Sequence, residues 1–276
     1  MSLSAHTDFC TTPALEAEIR RAAELLAEAR HAVALTGAGL SVESGIPPFR
    51  GPGGIWTKYG EPPLDGYQRF LHDPAAAWRE RLSPREAWAR VLQDAVRDAR
   101  PNAGHRALVE FERRGHLRTL ITQNIDGLHG LAGHREVLEI HGNHGLLRCI
   151  GCHARFEPDR IAVDPEHLPP RCPECGGIVK GDIVSFGEPI PADVLRACFR
   201  AVAAADCMLV AGTSATVYPA AEFPLDVLRT GGVVIEVNPE ESELSAMATI
   251  SLRGPGGAVL SRLLGCLAAP SDRSVA

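Results

Sequence analysis

Four short, mostly apolar segments constrain the fold of this chain most. They lie at 32–36, 117–122, 206–211 and 233–237. Stretches with helical character accompany them at 14–31, 103–114, 192–204 and 219–229. Apolar strands that alternate with helices are typical of a parallel sheet covered by helices on both faces. The expected fold class is therefore α/β with a doubly wound parallel sheet.

Four of the eight cysteines form two Cys-x-x-Cys pairs, Cys149 with Cys152 and Cys172 with Cys175. This spacing is typical of a zinc ribbon, in which each pair presents two thiolates to one tetrahedral ion. A redox Cys-x-x-Cys motif or two disulfides are the alternatives, but neither needs two matched pairs. Because cysteine would fill all four positions, the predicted zinc, one per chain, is structural rather than catalytic.

Length and charge limit the number of domains and the classes of binding partner that this chain can have. The 276 residues allow one large domain or one domain with a sizeable insertion. The formal net charge is −6 and no long basic run occurs, so neither nucleic acid nor an anionic membrane is expected as a partner. No apolar stretch approaches the roughly 18 residues of a membrane span, and no secretory signal pattern is visible. A cytoplasmic location is expected, where reducing conditions favour metal over disulfides.

Glycines and polar residues follow the predicted strands. In chain order they are Gly37-Ala38-Gly39, Gln123-Asn124-Ile125-Asp126, Gly212-Thr213-Ser214 and Asn238. A doubly wound sheet binds ligands at the carboxyl ends of its strands, where glycine lets backbone N–H groups approach a pyrophosphate. Position 42 is Val, so the third glycine of the dehydrogenase fingerprint is missing. A plain strand-to-helix turn at Gly37 stays open as the alternative.

His141 lies just before the first cysteine pair, in Glu-Ile-His-Gly-Asn. A single histidine after an apolar stretch is more often a core residue than a catalytic one. The polar side chains at 123–126, taken singly, more often cap a loop than do chemistry. One at a time, these residues assign no activity.

Taken in order, the motifs resemble those of the sirtuins, the NAD-dependent protein deacylases. The matching segments are 37–41, 44–51, 122–129, 141–143, the two cysteine pairs, 186–188 and 212–214. The resemblance extends over roughly residues 14–265. It implies a Rossmann-like NAD-binding domain at 14–50, 83–142 and 184–268. It also implies a smaller zinc-ribbon and helical module at 51–82 and 143–183, with 1–13 and 269–276 as termini.

The resemblance also assigns roles to individual residues. The pyrophosphate of NAD would lie along Gly37, Ala38 and Gly39, with Gly212, Thr213 and Ser214 nearby and Asn238 on the adenosine side. The nicotinamide pocket would be formed by Ser41, Ile46, Asn124 and Asp126, with Asn124 also catalytic. The reacting ribose would be contacted by Phe49, Arg50 and Gln123. The substrate would pair as an added strand with Val184, Phe186, Gly187 and Glu188, with Val217 opposite.

The implied activity is removal of acetyl or other neutral acyl groups from protein lysines, which yields nicotinamide, free lysine and O-acyl-ADP-ribose. His141 would be the base that activates a ribose hydroxyl, since a neutral imidazole titrates in the right range. The partners would be acyl-lysine proteins or peptides. A mono-ADP-ribosyltransferase or NAD glycohydrolase, or a weakly active NAD-sensing module, are the alternatives.

Two features of the sequence depart from the family pattern. Pro48 stands where most sirtuins carry Asp or Thr, so it supplies no side-chain hydrogen bond to the pocket. The Tyr-x-x-Arg pair of the succinyl-removing subgroup is replaced by Arg81 and Pro84, and the position lining the acyl channel is Asp65. Arg79, Arg81 or Arg85 could still supply a cation, but neutral acyl groups are expected.

Overall fold

The computed structural model describes residues 9–267, so most of the predicted termini lie outside the described residues. Its strands are β1 Ala32–Thr36, β2 Thr119–Thr122, β3 Val137–Glu139, β4 Gly142–Cys149, β5 Arg155–Phe156, β6 Val179–Ile183, β7 Cys207–Ala211, β8 Val233–Asn238 and β9 Ile250–Arg253. Its α-helices are α1 Pro13–Glu28, α2 Ile55–Tyr59, α3 Gly66–His72, α4 Pro74–Leu82, α5 Ala87–Asp98, α6 Ala103–Arg113, α7 Leu128–Ala132, α8 Ala192–Ala204, α9 Phe223–Arg229 and α10 Gly256–Cys266. Short 3₁₀ helices occur at Ala38–Ser44, Pro158–Arg160 and Ala220–Glu222.

A six-stranded sheet forms the larger part of the molecule, in the order β3-β2-β1-β7-β8-β9. Every neighbouring pair is parallel. The chain moves outward from β1 through β2 to β3, then returns to β7 on the other side of β1. The gap between β1 and β7 is therefore the topological switch point, where a doubly wound sheet opens a crevice for ligands.

Helices cover both faces of this sheet. On one face, Ile19 and Leu26 of α1, Phe111 of α6 and Leu260 of α10 are fully buried. On the other face, Val202 of α8 and Phe223 of α9 belong to a second buried cluster. Strand β1 is buried at all five positions, as a strand covered on both faces must be. The α/β doubly wound fold class is confirmed.

A second, three-stranded antiparallel sheet in the order β5-β4-β6 carries the cysteines. Its core contains Trp78 of α4 packed with Leu147, Val179 and Cys149. The indole N–H of Trp78 donates to the carbonyl of Val179 at 2.7 Å. Helix α4 is thereby attached to the cysteine-bearing sheet, although the two are far apart in sequence.

The predicted helix at 219–229 is interrupted. A 3₁₀ turn over Ala220–Glu222 precedes α9, which begins at Phe223 with Pro224 in its first turn. Proline has no N–H to donate and fits the first turn of a helix, so a new helix begins there. Among the helices of residues 9–267, none has both the length and the apolar composition that crossing a membrane requires.

Candidate active site

Three glycines bring two loops into backbone contact at the switch point. A Cβ at Gly37 or Gly39 would lie 2.8 Å from the carbonyl oxygen of Gly212, and a Cβ at Gly212 would lie 2.2 Å from the nitrogen of Leu40. The N–H groups of Gly37 and Gly39 donate to the carbonyls of Ala211 and Gly212. These glycines therefore serve the close approach of the loops. The sequence-based reason, free N–H groups for a phosphate, does not apply to these two donors.

The four residues predicted to form the nicotinamide pocket lie around one cavity. Ser41, Ile46, Asn124 and Asp126 all line it. The hydroxyl of Ser41 donates to Asp126 at 2.7 Å, and the amide of Asn124 donates to the Ser41 hydroxyl at 3.2 Å and to the Gly37 carbonyl at 3.1 Å. The pKa of Asp126 is raised overall, because the effect of burial exceeds the lowering by the bonds from the Ser41 hydroxyl and the Leu128 N–H. The fold brings these four residues together from three segments of the sequence, 37–41, 44–51 and 122–129.

Other residues of this cavity were missed by the sequence analysis. Leu92 and Val96 of α5 also line it. Residues 87–98 carry apolar side chains at helical spacing, Val91 and Leu92 followed by Ala95 and Val96. That periodicity is the signal that could have identified α5 as part of the site.

A polar chain continues from the cavity toward β8. The Gln123 amide donates to the Thr213 hydroxyl at 2.9 Å, and the Asn238 amide donates to the Thr213 carbonyl at 2.9 Å. Ser214 is exposed, and its hydroxyl is 2.9 Å from that of Thr216. Among the residues predicted to contact the rest of NAD, those after β2 and β7 and at the end of β8 therefore lie in one row along the carboxyl ends of these strands, while Phe49 and Arg50 lie on the loop after Ile46.

The loop after Ile46 contacts residues 184–188, the segment predicted to bind substrate, through aromatic rings. The Phe49 ring lies 4.9 Å from Trp56 of α2, and Trp56 lies 5.8 Å from Phe186. The Arg50 guanidinium stacks 4.5 Å over Trp56 and pairs with Glu61 at 3.3 Å. The Pro48 carbonyl accepts the N–H of Ile55 at 2.9 Å. Pro48 thus anchors the loop through its backbone, even though its side chain offers no hydrogen bond.

His141 contacts both parts of the site. Its ring Nδ1 is 3.1 Å from the carbonyl oxygen of Gln123, and its own carbonyl accepts the N–H of Val184 at 2.9 Å. A carbonyl only accepts, so Nδ1 must carry the proton, which leaves Nε2 of the neutral ring free to act as a base. Burial lowers the pKa of His141 below 6.5, against a smaller upward effect of the bond to Gln123.

The predicted role of His141 as the base, together with this shift, gives an expected pH dependence for deacylation. A base acts only when neutral, so activity is present above the His141 pKa and is lost as pH falls through it. Because that pKa is lowered, we expect the acid limb of kcat/KM, measured with an acetylated peptide between pH 5 and 8, to have its midpoint below 6.5. An acid limb centred well above 6.5 would contradict the assigned role.

The segment predicted to pair with substrate is held by buried charges. The Glu188 carboxylate accepts from Arg148 at 3.1 Å, from Lys180 at 3.0 Å and from the Ser185 N–H at 2.9 Å. The side chains of Arg148, Lys180 and Glu188 are each at most 7% exposed. Glu188 is therefore engaged within the protein and fixes the turn around Gly187. The sequence analysis missed Arg148 and Lys180, because charged residues near a metal ribbon are usually exposed. Val217 lies on the loop after β7, and its place opposite this segment stays a prediction.

The residues predicted to affect acyl selectivity have partners within the protein. Asp65 pairs with Arg69 at 2.9 Å, and Arg79 lies 3.7 Å from Asp73. Arg81 donates to the carbonyl of His144 at 3.1 Å, and burial lowers its pKa. A Cβ at Gly181 would lie 2.6 Å from its guanidinium, so this glycine makes room for Arg81. The Arg81 cation is thus directed against β4 and β6.

The four paired cysteines form one cluster whose sulfur atoms all lie within 4.8 Å of one another. Sγ of Cys149 is 3.5 Å from that of Cys175, and Sγ of Cys152 is 3.7 Å from that of Cys172. Four sulfurs about 2.3 Å from one zinc ion are about 3.8 Å apart, so the cluster has the size of a tetrahedral site. Backbone N–H groups of Gly151 and Gly177 donate to two of the sulfurs. The prediction that these cysteines are positioned to bind a metal ion is confirmed.

The fold and the site together define the class of protein. It is a Rossmann-like α/β protein whose switch-point cavity lies beside a segment carried by a four-cysteine metal ribbon. Comparison with known proteins agrees. A model of the Sir2 family matches residues 37–219. NAD-dependent protein deacylase 2 of Pyrobaculum aerophilum is 43% identical over 242 residues, which cover 88% of this chain and 93% of that protein.

Two solved structures are similar over nearly their whole length. A Sir2 homologue in complex with NAD superposes with a TM-score of 0.74 at 43% identity, and covers 89% of this chain and 92% of its own. A Sir2 protein with a deacetylated p53 peptide and 3'-O-acetyl ADP ribose has a TM-score of 0.74 at 33% identity, with coverage of 91% and 99%. The chain belongs to the Sir2 family.

Proposed function

We propose that the protein is an NAD-dependent protein-lysine deacylase, which transfers an acetyl or other neutral acyl group from a lysine side chain to ADP-ribose. The products are nicotinamide, free lysine and O-acyl-ADP-ribose. The relative from Pyrobaculum is named a deacylase of this kind, and one similar structure holds a deacetylated peptide with an acetylated ADP-ribose. Acyl-lysine proteins or peptides are then the partners.

One observation carries the proposal. His141 bonds to Gln123, next to the cavity residue Asn124, through its ring, and to Val184 of the substrate segment through its backbone. A base for transfer between NAD and an acyl-lysine must lie between the two binding sites, and these two bonds support that position for His141. Simple cleavage of NAD would need neither the base nor the segment.

The residues around the cavity fit NAD. Ser41, Asn124 and Asp126 offer hydroxyl, amide and carboxyl groups to a carboxamide, and Ile46 offers apolar contact to a ring. Gln123, Thr213 and Asn238 supply further polar groups along the row. NAD, when bound, supplies a ribose carbon from which nicotinamide departs. The protein orients the two reactants, excludes water and takes a proton at Nε2 of His141.

The metal has a separate role. Four thiolates leave no coordination position for water, so zinc at the cysteine cluster takes no part in the chemistry. We assign residues 143–183 and 51–82 to one small module that the zinc holds together. Its cysteine-containing core includes Trp78, which supports this division. Residues 14–50, 83–142 and 184–268 would form the NAD-binding domain.

Incubation with NAD and an acetyl-lysine peptide tests the function. We expect nicotinamide release that depends on the peptide, together with loss of the acetyl group from the peptide by mass spectrometry. Release without peptide would instead indicate an NAD glycohydrolase, and transfer of ADP-ribose to protein an ADP-ribosyltransferase. Binding of NAD without any release would indicate a sensor.

Acyl selectivity gives a further prediction. A succinyl carboxylate is costly to desolvate unless a cation and a hydroxyl meet it, and Asp65 stands at the channel position. We expect kcat/KM for an acetyl peptide to exceed that for its succinyl version at least about tenfold, or about 1.4 kcal/mol.

Two arginine variants serve as the check on that prediction. If the succinyl peptide is preferred, a nearby arginine has taken over the missing role. Arg79→Met and Arg81→Met then identify it, because only the variant that lacks the acting cation should lose the preference. The two differ in access, since the Arg79 side chain is more than half exposed and Arg81 is held against β4 and β6.

A further inference from the structure

Lysine is almost absent from this chain. The sequence contains 28 basic residues counted as lysine plus arginine, and only Lys58 and Lys180 are lysines. Arginine does not react with acyl thioesters under ordinary conditions, because its guanidinium stays protonated. Lys58 and Lys180 are therefore the only side chains of this sequence whose amines an acyl thioester can acylate.

The two amines have very different environments. The Lys180 ammonium donates to the carbonyls of Gly181 and Ile183 and to Glu188, and its side chain is 7% exposed. Acylation would remove its charge and break one of the two buried ion pairs of Glu188, which is destabilising. Lys58 is exposed on α2, and the only contact described for its ammonium group is a cation–π contact with the neighbouring Tyr59 ring at 5.0 Å.

The surroundings of Lys58 allow the chain around it to open. Helix α2 has five residues and is bounded by Gly54 and Gly60, so it is far too short to be stable on its own. Its start is tied to the loop by backbone bonds from Ile55 and Trp56 to Pro48 and Phe49. Residues 57–61 are all exposed. Their contacts include the backbone bonds from Lys58 to Gly54 and from Gly60 to Trp56 and the surface pair of Glu61 with Arg50, which water can replace. This part can adopt the extended form that a peptide needs to pair as an added strand.

We propose that Lys58 is an acylation site of the enzyme. Acyl thioesters acylate its amine, and a second copy of the same protein removes the acyl group, a step we call clearance. In the first step the neutral amine attacks the thioester carbonyl. The C–N bond forms, the C–S bond breaks, the thiolate leaves with the electron pair, and the nitrogen loses a proton to water. Clearance rests on the proposed function, with NAD as the acyl acceptor.

Acetyl-CoA is the probe for the first step. After incubation with the folded protein, peptide mapping by mass spectrometry should find at least about tenfold more acetyl on Lys58 than on Lys180, since acylation of Lys180 breaks a buried ion pair. The α-amino group of the chain is scored separately. Lys58→Arg should remove the side-chain adduct. Equal labelling of Lys180, or no labelling of Lys58, would overturn the proposal.

Clearance is tested between two variants. Acetylated His141→Ala protein serves as substrate, because it lacks the base, and Lys58→Arg protein serves as enzyme, because it keeps the cation and cannot be acetylated there. With NAD, acetyl-Lys58 should disappear, and without NAD it should persist. If it persists with NAD while the same enzyme deacetylates a free acetyl-lysine peptide, clearance is refuted and the proposed function stands. If the peptide is also untouched, the proposed function fails, and clearance with it.

Discussion

His141→Ala should lose most deacylation while still binding NAD. General-base catalysis contributes about 10²- to 10⁴-fold, so kcat on an acetyl-lysine peptide should fall by that factor. The cavity residues Ser41, Asn124 and Asp126 hold one another through their own hydrogen bonds and do not depend on the His141 ring. Calorimetric titration with NAD and a discontinuous peptide assay would measure the two properties on one preparation.

His72→Ala is the matched control for that variant. His72 is an exposed histidine at the end of α3, so its removal tests for a general effect of losing an imidazole. Its kcat should equal that of the unaltered protein. Unchanged turnover of His141→Ala would refute the role of His141 as the base, and loss of NAD binding would show that the ring supports the cavity.

We expect Cys152→Ser to lose the bound zinc and to destabilise the fold of the small module. Structural zinc sites of this type contribute about 10–16 kcal/mol of binding free energy that is available only to the folded form. Two of the four ligands, Cys149 and Cys172, are also part of the module's hydrophobic core with Trp78. We expect elemental analysis to find about one zinc per chain before the substitution and far less after it, with a clearly lower melting temperature.

Cys266→Ser is the matched control for this substitution. Both Cys152 and Cys266 are exposed free cysteines, but Cys266 lies at the end of α10, outside the cluster. Its zinc content and melting temperature should stay unchanged. An unaltered protein that purifies without zinc would contradict the assignment of the cluster.

The sequence predicted the centre of the main sheet well and its edges poorly. Strands β1 and β7 are apolar except for Thr36, and β8 is apolar except for Glu236 and Asn238, because all three are covered on both faces, and such runs are visible without a structure. The edge strands β3 and β9 are short and only partly buried, so neither shows a distinct pattern. Tertiary pairing with β2 and β8, rather than local preference, makes them strands.

The candidate site shows the same division. The glycines, Asn124, His141 and the cysteines belong to compact motifs, and the sequence indicated them. The partners of Glu188 did not emerge, because Arg148 and Lys180 are charged residues that only the pairing of β4 with β6 places beside it. Leu92 and Val96 reach the cavity through the packing of α5 near Ile46 and Leu128, a contact between distant segments.

The backbone contact between the loops after β1 and β7 limits how this protein can vary. At Gly37, Gly39 and Gly212 the neighbouring atoms occupy the space of any side chain, so even alanine would push the two central strands apart. Gly45 differs from these three glycines. Its φ is positive, 88°, but nothing lies within 4 Å of its Cβ position. In a saturation library selected for folding, asparagine and aspartate should therefore survive at position 45, since they tolerate the left-handed conformation. The three switch-point positions should return glycine alone.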